Sequence, residues 1–543
     1  MIESAGTVEV KVRMGKINMR TGLSTDLIAR ILGGAPKYTM DELEEKFPAR
    51  NLTDGAFVTR FAPSPTGFMH LGGLYGALID CKLAQQSGGV FMLRIEDTDT
   101  KREVASAVDI IVSSMRRFGL AYNNDPAYGP YHQSERKDIY HSVVADLMAR
   151  GFAYPCFMNA NDMEQVRENQ KAAGFPTGIY GEFARDRDLT EEEIIAHLDT
   201  GEKPTIRLYS DGNPERRIFC KDAVRGSIGF PENNEDLVLI KSNDGLPTYH
   251  FAHLVDDHFM RTTHVVRGEE WLPSFPLHVA LFRKMGWTPP MYIHTSTIDK
   301  IDIDTGKQRK LSKRKDPEAN VEYFLADGWP VEAVLEYLGN IAASGYEEAK
   351  AKGQVKSIWD YEMRPKKIPM SGALFDMKKL EWWAKEFIAT LPVSDLTARV
   401  VAWANEYGND TEKMQVADTE YLGAVLGIER DNPKRIRKDF ITWRQTLETV
   451  AFFWDELYVP NTEFEYNADA LREFLSVYNP ADDKDAWWAK VVEIAGKLGI
   501  KNGDVAMNLR VALSGRTNTP DLYSIINVMG ENRVRDRIEK VLK

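Results

Sequence analysis

A chain of 543 residues, 43% hydrophobic and 28% charged, is too long for one core and too ordinary in composition to be fibrous or disordered, so several globular domains are expected. Its formal net charge of -12 excludes a general polyanion-binding surface and leaves nucleic acid to local basic patches. Cys81, Cys156 and Cys220 are far apart and unpaired in spacing, and no apolar run is long enough to span a bilayer, so a reduced, cytoplasmic protein without a membrane segment is expected.

Residues 1–54 are weakly periodic, with one short helix expected at "DELEEKF", and read as an extension of unassigned function. "FVTRF" (57–61) has the aromatic and β-branched make-up of a strand. After the Pro/Gly-rich "RFAPSPTGFMHLGG" (Arg60–Gly73), helical spacing at Leu71, Leu74, Tyr75, Leu78 and Lys82 runs to Gly88-Gly89. "VFMLRIED" then reads as a buried strand, and Val104, Val108, Ile111, Met115 and Phe118 mark a second amphipathic helix. That alternation is a βαβ unit with parallel strands. Residues 141–244 are more polar and irregular, as an inserted domain would be. "DLVLIKS" and "THVVR", with a helical segment between them, read as the sheet resuming. Beyond about residue 320 the strand signals fade into helices such as "VEAVLEYLGNIAA" and "DKDAWWAKVVEIAGKL". The fold class is thus α/β, a parallel-sheet front half followed by an all-α back half.

In open parallel sheets, ligands sit beyond the carboxyl ends of the strands. Three polar clusters fall there: Arg60–Gly73, Glu96 and Asp97 of "RIEDTD", and Arg267, Glu270 and Trp271 of "HVVRGEEW". Gly72 and Gly73 at a helix start let a flat or anionic group approach the backbone, and His70 can donate to phosphate there. A tight strand-to-helix turn with His70 as a capping residue fits the local pattern equally well. The stretch is neither a G-x-G-x-x-G fingerprint nor a P-loop.

"RKLSKRK" (Arg309–Lys315) lies in a polar segment without apolar periodicity and reads as a loop. Lys310 and Lys313 can wrap a triphosphate, although taken alone a solvated basic loop is the favoured reading. In "YHFAHLVDDHF", Tyr249, His253, Asp256 and Asp257 share a helix face that His250 and His258 leave. A substrate-facing Tyr249/His253 pair is therefore preferred to a metal site. Trp382-Trp383, Trp487-Trp488 and Phe452–Trp454 read as core before base-stacking platforms. Lys434, Arg435, Arg437 and Lys438 of "NPKRIRKDF", taken as a helix start, form the best phosphate-contacting patch.

Together these motifs resemble a class I aminoacyl-tRNA synthetase. "FAPSPTGFMHLGG" is similar to the HIGH motif in the form used by glutamyl enzymes, and "KLSKR" to KMSKS. "RIEDTD", "LPTYHFAHLVDDHFM", "HVVRGEEW" and "VAMNLRVALSGRTNTPDLYSIINVMG" resemble segments of the bacterial glutamyl-tRNA synthetases in the same order, over residues 55–543. The resemblance implies a Rossmann-like catalytic domain (55–140 and 245–300), an inserted tRNA acceptor-binding domain (141–244), a KLSKR-loop and stem-contact region (301–385) and an α-helical anticodon-binding region (386–543). It implies ATP held by His70, Gly72, Gly73, Glu270, Trp271 and Lys313, and L-glutamate held by Arg60, Ala62, Ser64, Glu96, Tyr249, His253 and Arg267. His70, Lys310 and Lys313, with ATP-bound Mg²⁺, would stabilise the transition state. The partner is tRNA(Glu), with tRNA(Gln) left open, and a monomer is expected. Arg430 is a candidate anticodon reader. Three departures stand out. Gly73 occupies the fourth HIGH position, and His253 stands where many relatives carry Asn and the glutaminyl enzymes carry His. "YPCFMNANDM" lacks the paired cysteines of zinc-binding relatives, so no zinc is expected.

Overall fold

The structure, a computed structural model, describes residues 21–99, 104, 106–312, 314–431 and 436–543. The chain divides into two compact units, one running to Leu311 and adding Gly339–Leu374, the other Ser312–Leu338 with Phe375–Lys543.

The first unit opens with α1 (Thr25–Leu32) and α2 (Met40–Lys46). The "DELEEKF" helix is α2, held by a capping box between Thr39 and Glu42. The preceding helix α1 is too short to establish a period in the sequence; its Leu27 and Ile28 are buried in one core with Leu43 and Phe47. Then come β1 (Val58–Phe61), α3 (Leu71–Gln86), β2 (Val90–Leu93) and α4 (Ala107–Arg117). β1 and β2 are parallel, Val58 opposite Val90 and Phe61 opposite Leu93, as the βαβ reading requires. Next follow α5 (Lys137–Ala149), β3 (Ala153–Cys156), α6 (Ala160–Ala173), α7 (Glu191–Asp199), β4 (Thr205–Leu208), β5 (Arg217–Asp222), β6 (Gly226–Pro231) and β7 (Val238–Ile240).

"DLVLIKS" does form a strand, but β7 pairs antiparallel with β4 in a sheet of order β3-β4-β7. It does not resume the parallel sheet as the sequence suggested; a three-residue apolar strand carries no mark of which sheet will pair with it. After α8 (Tyr249–Phe259) come β8 (His264–Gly268), α9 (Phe275–Met285) and β9 (Met291–Thr295); β8 and β9 are parallel neighbours in a separate four-stranded sheet of order β6-β5-β9-β8. The β5–β6 hairpin joins this sheet where Asp222 pairs with Tyr292. At their amino ends β1 and β8 are tied together: Thr263 N–H donates to Val58 O (2.9 Å) and Val58 N–H to Thr263 Oγ1 (2.8 Å). The carboxyl ends of both strands lead to the candidate site residues. Short strands β10 (Ile298–Ile301), β11 (Gln308–Lys310) and β12 (Ala373–Leu374) complete the unit.

In the second unit every described element from Phe375 onward is helical. Its core gathers Trp403, Trp443, Phe453, Leu509 and Ile526, so the fading of strand signals in the sequence is real. No described helix is long and apolar enough to cross a membrane.

Candidate active site

The floor of the crevice is a buried charge network centred on α8. Asp257 Oδ1 accepts from Arg60 Nε (3.1 Å) and Arg94 NH1 (2.6 Å). Asp256 accepts from Arg136 Nε (2.6 Å), Gln133 (2.8 Å) and Tyr140 OH (2.8 Å). Burial works to raise the Asp257 carboxyl, but the two guanidiniums outweigh it and hold it below the ordinary carboxylate range. Arg94 also donates to Glu96 Oε1 (3.1 Å), whose carboxyl burial pushes up against the pull of Arg94 and Arg60. The paired aspartates that raised a metal reading are thus engaged by arginines. His258 leaves them for Glu44 (2.7 Å) and stacks on Trp287. Among the described residues no three His, Cys, Asp or Glu side chains are placed to hold a metal ion. Cys156 is a buried free thiol.

One wall is the start of α3. His70 is its N-cap, and its Nδ1 accepts from Gly72 N–H (3.0 Å). The capping reading is thus the one observed, and an accepting Nδ1 puts the proton of a neutral ring on Nε2. A Cβ on Gly72 would come within 3.3 Å of that ring nitrogen, and one on Gly73 within 3.4 Å of Phe61. Ala62 is half-buried and Ser64 exposed in the segment joining β1 to α3.

The opposite wall is built on α8 and β8. The Tyr249 ring lies 4.5 Å from that of Trp271 and stacks on His253 at 5.9 Å. Burial, then the charge of Glu96, pushes the Tyr249 hydroxyl up to about 12. His253 itself is fully buried, with Nε2 2.8 Å from Tyr292 OH, so it lies beneath the pocket surface. Arg267 is 8% exposed and, unlike Arg60 and Arg94, pairs with no carboxylate among the described residues. Its neighbours are His294 (2.9 Å from Nε), His278 (2.9 Å from NH1) and the Trp271 carbonyl (3.5 Å from NH2).

At the rim, Lys310 Nζ donates to Glu270 Oε1 (2.8 Å). The Glu270 carboxylate folds back over Gly268, where an added Cβ would meet it at 2.0 Å and displace this exposed side chain from its present position. The segment that leads to the KLSKR stretch is not all loop, since β10 and β11 form a hairpin with Ile301 opposite Gln308. Asp302 closes its turn by accepting from Thr305 N–H and from Arg309, which hold its carboxyl down at about 2. Its strands are short and charged, which is why no alternation showed. Lys313 lies outside the described residues.

A family model for "tRNA synthetases class I (E and Q), catalytic domain" matches residues 56–382, and one for an "Anticodon binding domain" matches 398–542. The chain belongs to the class I tRNA synthetases. Proteins named glutamate–tRNA ligase from Clostridium perfringens and Acetivibrio thermocellus are each 43% identical to this synthetase, over 92% and 91% of its chain and 96% and 95% of theirs. The crystal structure of a glutamate-tRNA synthetase from Elizabethkingia anophelis superposes with a TM-score of 0.73 at 29% identity, covering 90% of this chain and 99% of that one.

In the helical unit of the synthetase, several expectations change. Arg430 is 9% exposed and donates to the Ile388 and Leu391 carbonyls (2.7 Å each), at and just beyond the C-terminal end of the helix Met377–Thr390. It acts as a helix-end cap, and a role in reading the anticodon is not what this geometry gives it. "NPKRIRKDF" does not begin a helix in its described part, 436–440; the next helix starts at Trp443. Arg437 is spent on Asp439 (2.6 Å) and Lys438 on Glu386 (2.8 Å), while Lys434 and Arg435 lie outside the described residues. The tryptophan doublets split: Trp383 and Trp487 are core, Trp382 and Trp488 are 46% and 43% exposed. Phe452–Trp454 is core throughout.

Sequence reasoning singled out Arg60, Glu96, Tyr249 and Arg267, which the structure brings together, the three charged groups all acting on the Tyr249 hydroxyl. It missed Arg94, Asp222, His278, His294 and Tyr292, whose partners lie up to 163 residues away.

Proposed function

We propose that the chain is a glutamate–tRNA ligase, activating L-glutamate with ATP to glutamyl-adenylate and pyrophosphate and then transferring glutamate to the 3′ end of tRNA(Glu). The observation that carries this reading is Arg267, a buried guanidinium with neutral neighbours and no carboxylate of its own beside Tyr249 and Trp271. A buried cation of that kind is completed by an anionic substrate group. In this reading Arg267 meets the side-chain carboxylate, so glutamine, with an amide there, would leave it uncompensated, at about 3–5 kcal/mol. His253 has no exposed surface, so the choice between the two amino acids rests on Arg267 rather than on the histidine. The relatives named glutamate–tRNA ligase, 41–43% identical over nearly the whole chain, support the same reading.

In this reading Arg60, Ala62, Ser64, Glu96, Tyr249 and Arg267 hold glutamate, with Glu96 toward the ammonium group. The α-carboxylate attacks the α-phosphorus of ATP in line. The Gly72 and Gly73 backbone, Glu270 and Trp271 seat the nucleotide. His70 donates from Nε2, and Lys310 and Lys313 meet the negative charge that develops on the phosphates. A Mg²⁺ ion would be held by the phosphates of ATP and would neutralise their charge. A terminal ribose hydroxyl of tRNA then attacks the activated carbonyl, and no covalent enzyme intermediate is needed. We assign residues 55–140 and 245–300 to catalysis, 141–244 to the acceptor end, 301–385 to the KLSKR loop and stem contact, and 386–543 to the anticodon region.

ATP–pyrophosphate exchange with purified protein and tRNA, run with each amino acid in turn, tests the assignment. Exchange with glutamate is expected; exchange with glutamine alone would overturn it.

A further inference from the structure

Arg267 sits in a chain of hydrogen bonds that runs out of the crevice in two directions. On one side its Nε–H donates to His294 Nε2 (2.9 Å), and His294 Nδ1 lies 2.7 Å from Asp222 Oδ2. On the other its NH1 lies 2.9 Å from His278 Nδ1, and His278 Nε2 lies 2.9 Å from His250 Nδ1. An arginine can only donate, so each ring must present a lone pair to it. That fixes both tautomers: His294 carries its proton on Nδ1 and gives it to Asp222, and His278 carries its proton on Nε2 and gives it to His250. Both rings are buried, and burial, with the charge of Arg267, holds each below the usual imidazole range and hence neutral. Asp222 is itself fixed, because its Oδ1 accepts from Val224 N–H (2.9 Å) and Arg225 N–H (2.8 Å), and its Oδ2 from His294 N–H (3.0 Å).

We infer that Asp222–His294 and His250–His278 are positioning pairs that aim Arg267 at the substrate carboxylate without neutralising it. This rests on the reading of Arg267 as a glutamate-binding residue. The physical logic is a contrast within one crevice. Arg60 is paired with Asp257, and Arg94 with Asp257 and Glu96, so each already has a carboxylate partner within the protein. Arg267 is held just as firmly by two neutral acceptors, and the Tyr292 ring lies 4.7 Å from its guanidinium carbon. Three of its five N–H donors are then engaged, which leaves two, the number a bidentate carboxylate grip needs. A carboxylate in place of either histidine would hold the guanidinium equally well and cancel the charge that selects the substrate.

The two rings use opposite nitrogens, and this makes a crossed test. Gln reaches the position of a histidine Nε2, and Asn the position of Nδ1. His294→Gln and His278→Asn should each keep the KM for glutamate within about 3-fold of the unaltered enzyme. His294→Asn and His278→Gln should each raise it about 10-fold or more, the loss of a hydrogen bond to a charged group, with the KM for ATP unmoved. Thermal melting of all four variants controls for folding. Equal KM values for glutamate in the Asn and Gln variants at each site, or a parallel rise in the KM for ATP, would contradict the inference. Absence of any glutamate-dependent activity in the unaltered enzyme would contradict the ligase reading instead, so the two failures are distinct.

Discussion

Lys310 Nζ is bonded to Glu270 Oε1 at 2.8 Å, so the lysine before the KLSKR serine and the acid after the "VVRG" strand meet at one rim of the crevice. Both side chains are about half exposed, and an ion pair of that kind contributes under about 1 kcal/mol. In the proposed ligase reading the pair serves the reaction, since its contribution to the fold is small. Lys310→Ala should slow adenylate formation about 10²-fold, measured by single-turnover pyrophosphate release. Its urea unfolding midpoint should match that of the unaltered protein.

His70 caps α3, and in the proposed ligase reading it also donates to phosphate; one pair of substitutions separates the two roles. His70→Asn keeps an acceptor where Nδ1 meets Gly72 N–H and removes the Nε2 donor. His70→Ala removes both. Adenylate formation should fall about 10²-fold in each, while only the alanine variant should lose stability, by about 1 kcal/mol. Chemical denaturation alongside exchange kinetics checks both halves of the statement.

Asp257 is the shared anion of Arg60 and Arg94, and none of its side chain is exposed. Removing its charge leaves two buried guanidiniums short of a partner. Asp257→Asn should destabilise the protein by about 3–5 kcal/mol, read from urea unfolding at neutral pH. A change below 1 kcal/mol would mean that the network is solvated.

The protein should lose stability as the pH drops below neutral. The His264 ring, stacked on Phe57 at 3.5 Å, is pushed by burial from the ordinary 6.5 down to about 4. Between those values the unfolded chain binds a proton there and the folded chain does not, so stability falls as pH falls through that window. His250, His253, His278 and His294 are lowered in the same direction. Urea midpoints at pH 7.5 and 5 should differ, and His264→Phe, which keeps the stack, should narrow the difference.

The front half of the fold was legible because it is built from short-range signals. The β1–α3–β2 unit announces itself through composition, a glycine stop and helical spacing, and those place Arg60, His70 and Glu96 at one sheet edge before any contact is known. What could not be read depends on pairing over long distances. The β7 strand has the same composition whether it joins the parallel sheet or β4. Arg94 sits in the noticed "RIEDTD" stretch, yet its role depends on Asp257, 163 residues away. Arg430 stood as a candidate anticodon reader until the carbonyls of Ile388 and Leu391 were seen to receive it. His294 and Asp222, 72 residues apart, show no shared pattern at all, because a hydrogen bond between two strands leaves no trace in spacing.

The most direct measurement is aminoacylation of purified tRNA(Glu), with labelled glutamate and labelled glutamine supplied in parallel at equal concentration, and with tRNA(Gln) as a second acceptor. Glutamyl-tRNA(Glu) should accumulate, and glutamine should give none. Charging with glutamine and not with glutamate, or charging with neither, would contradict the assignment of Arg267 and with it the ligase reading.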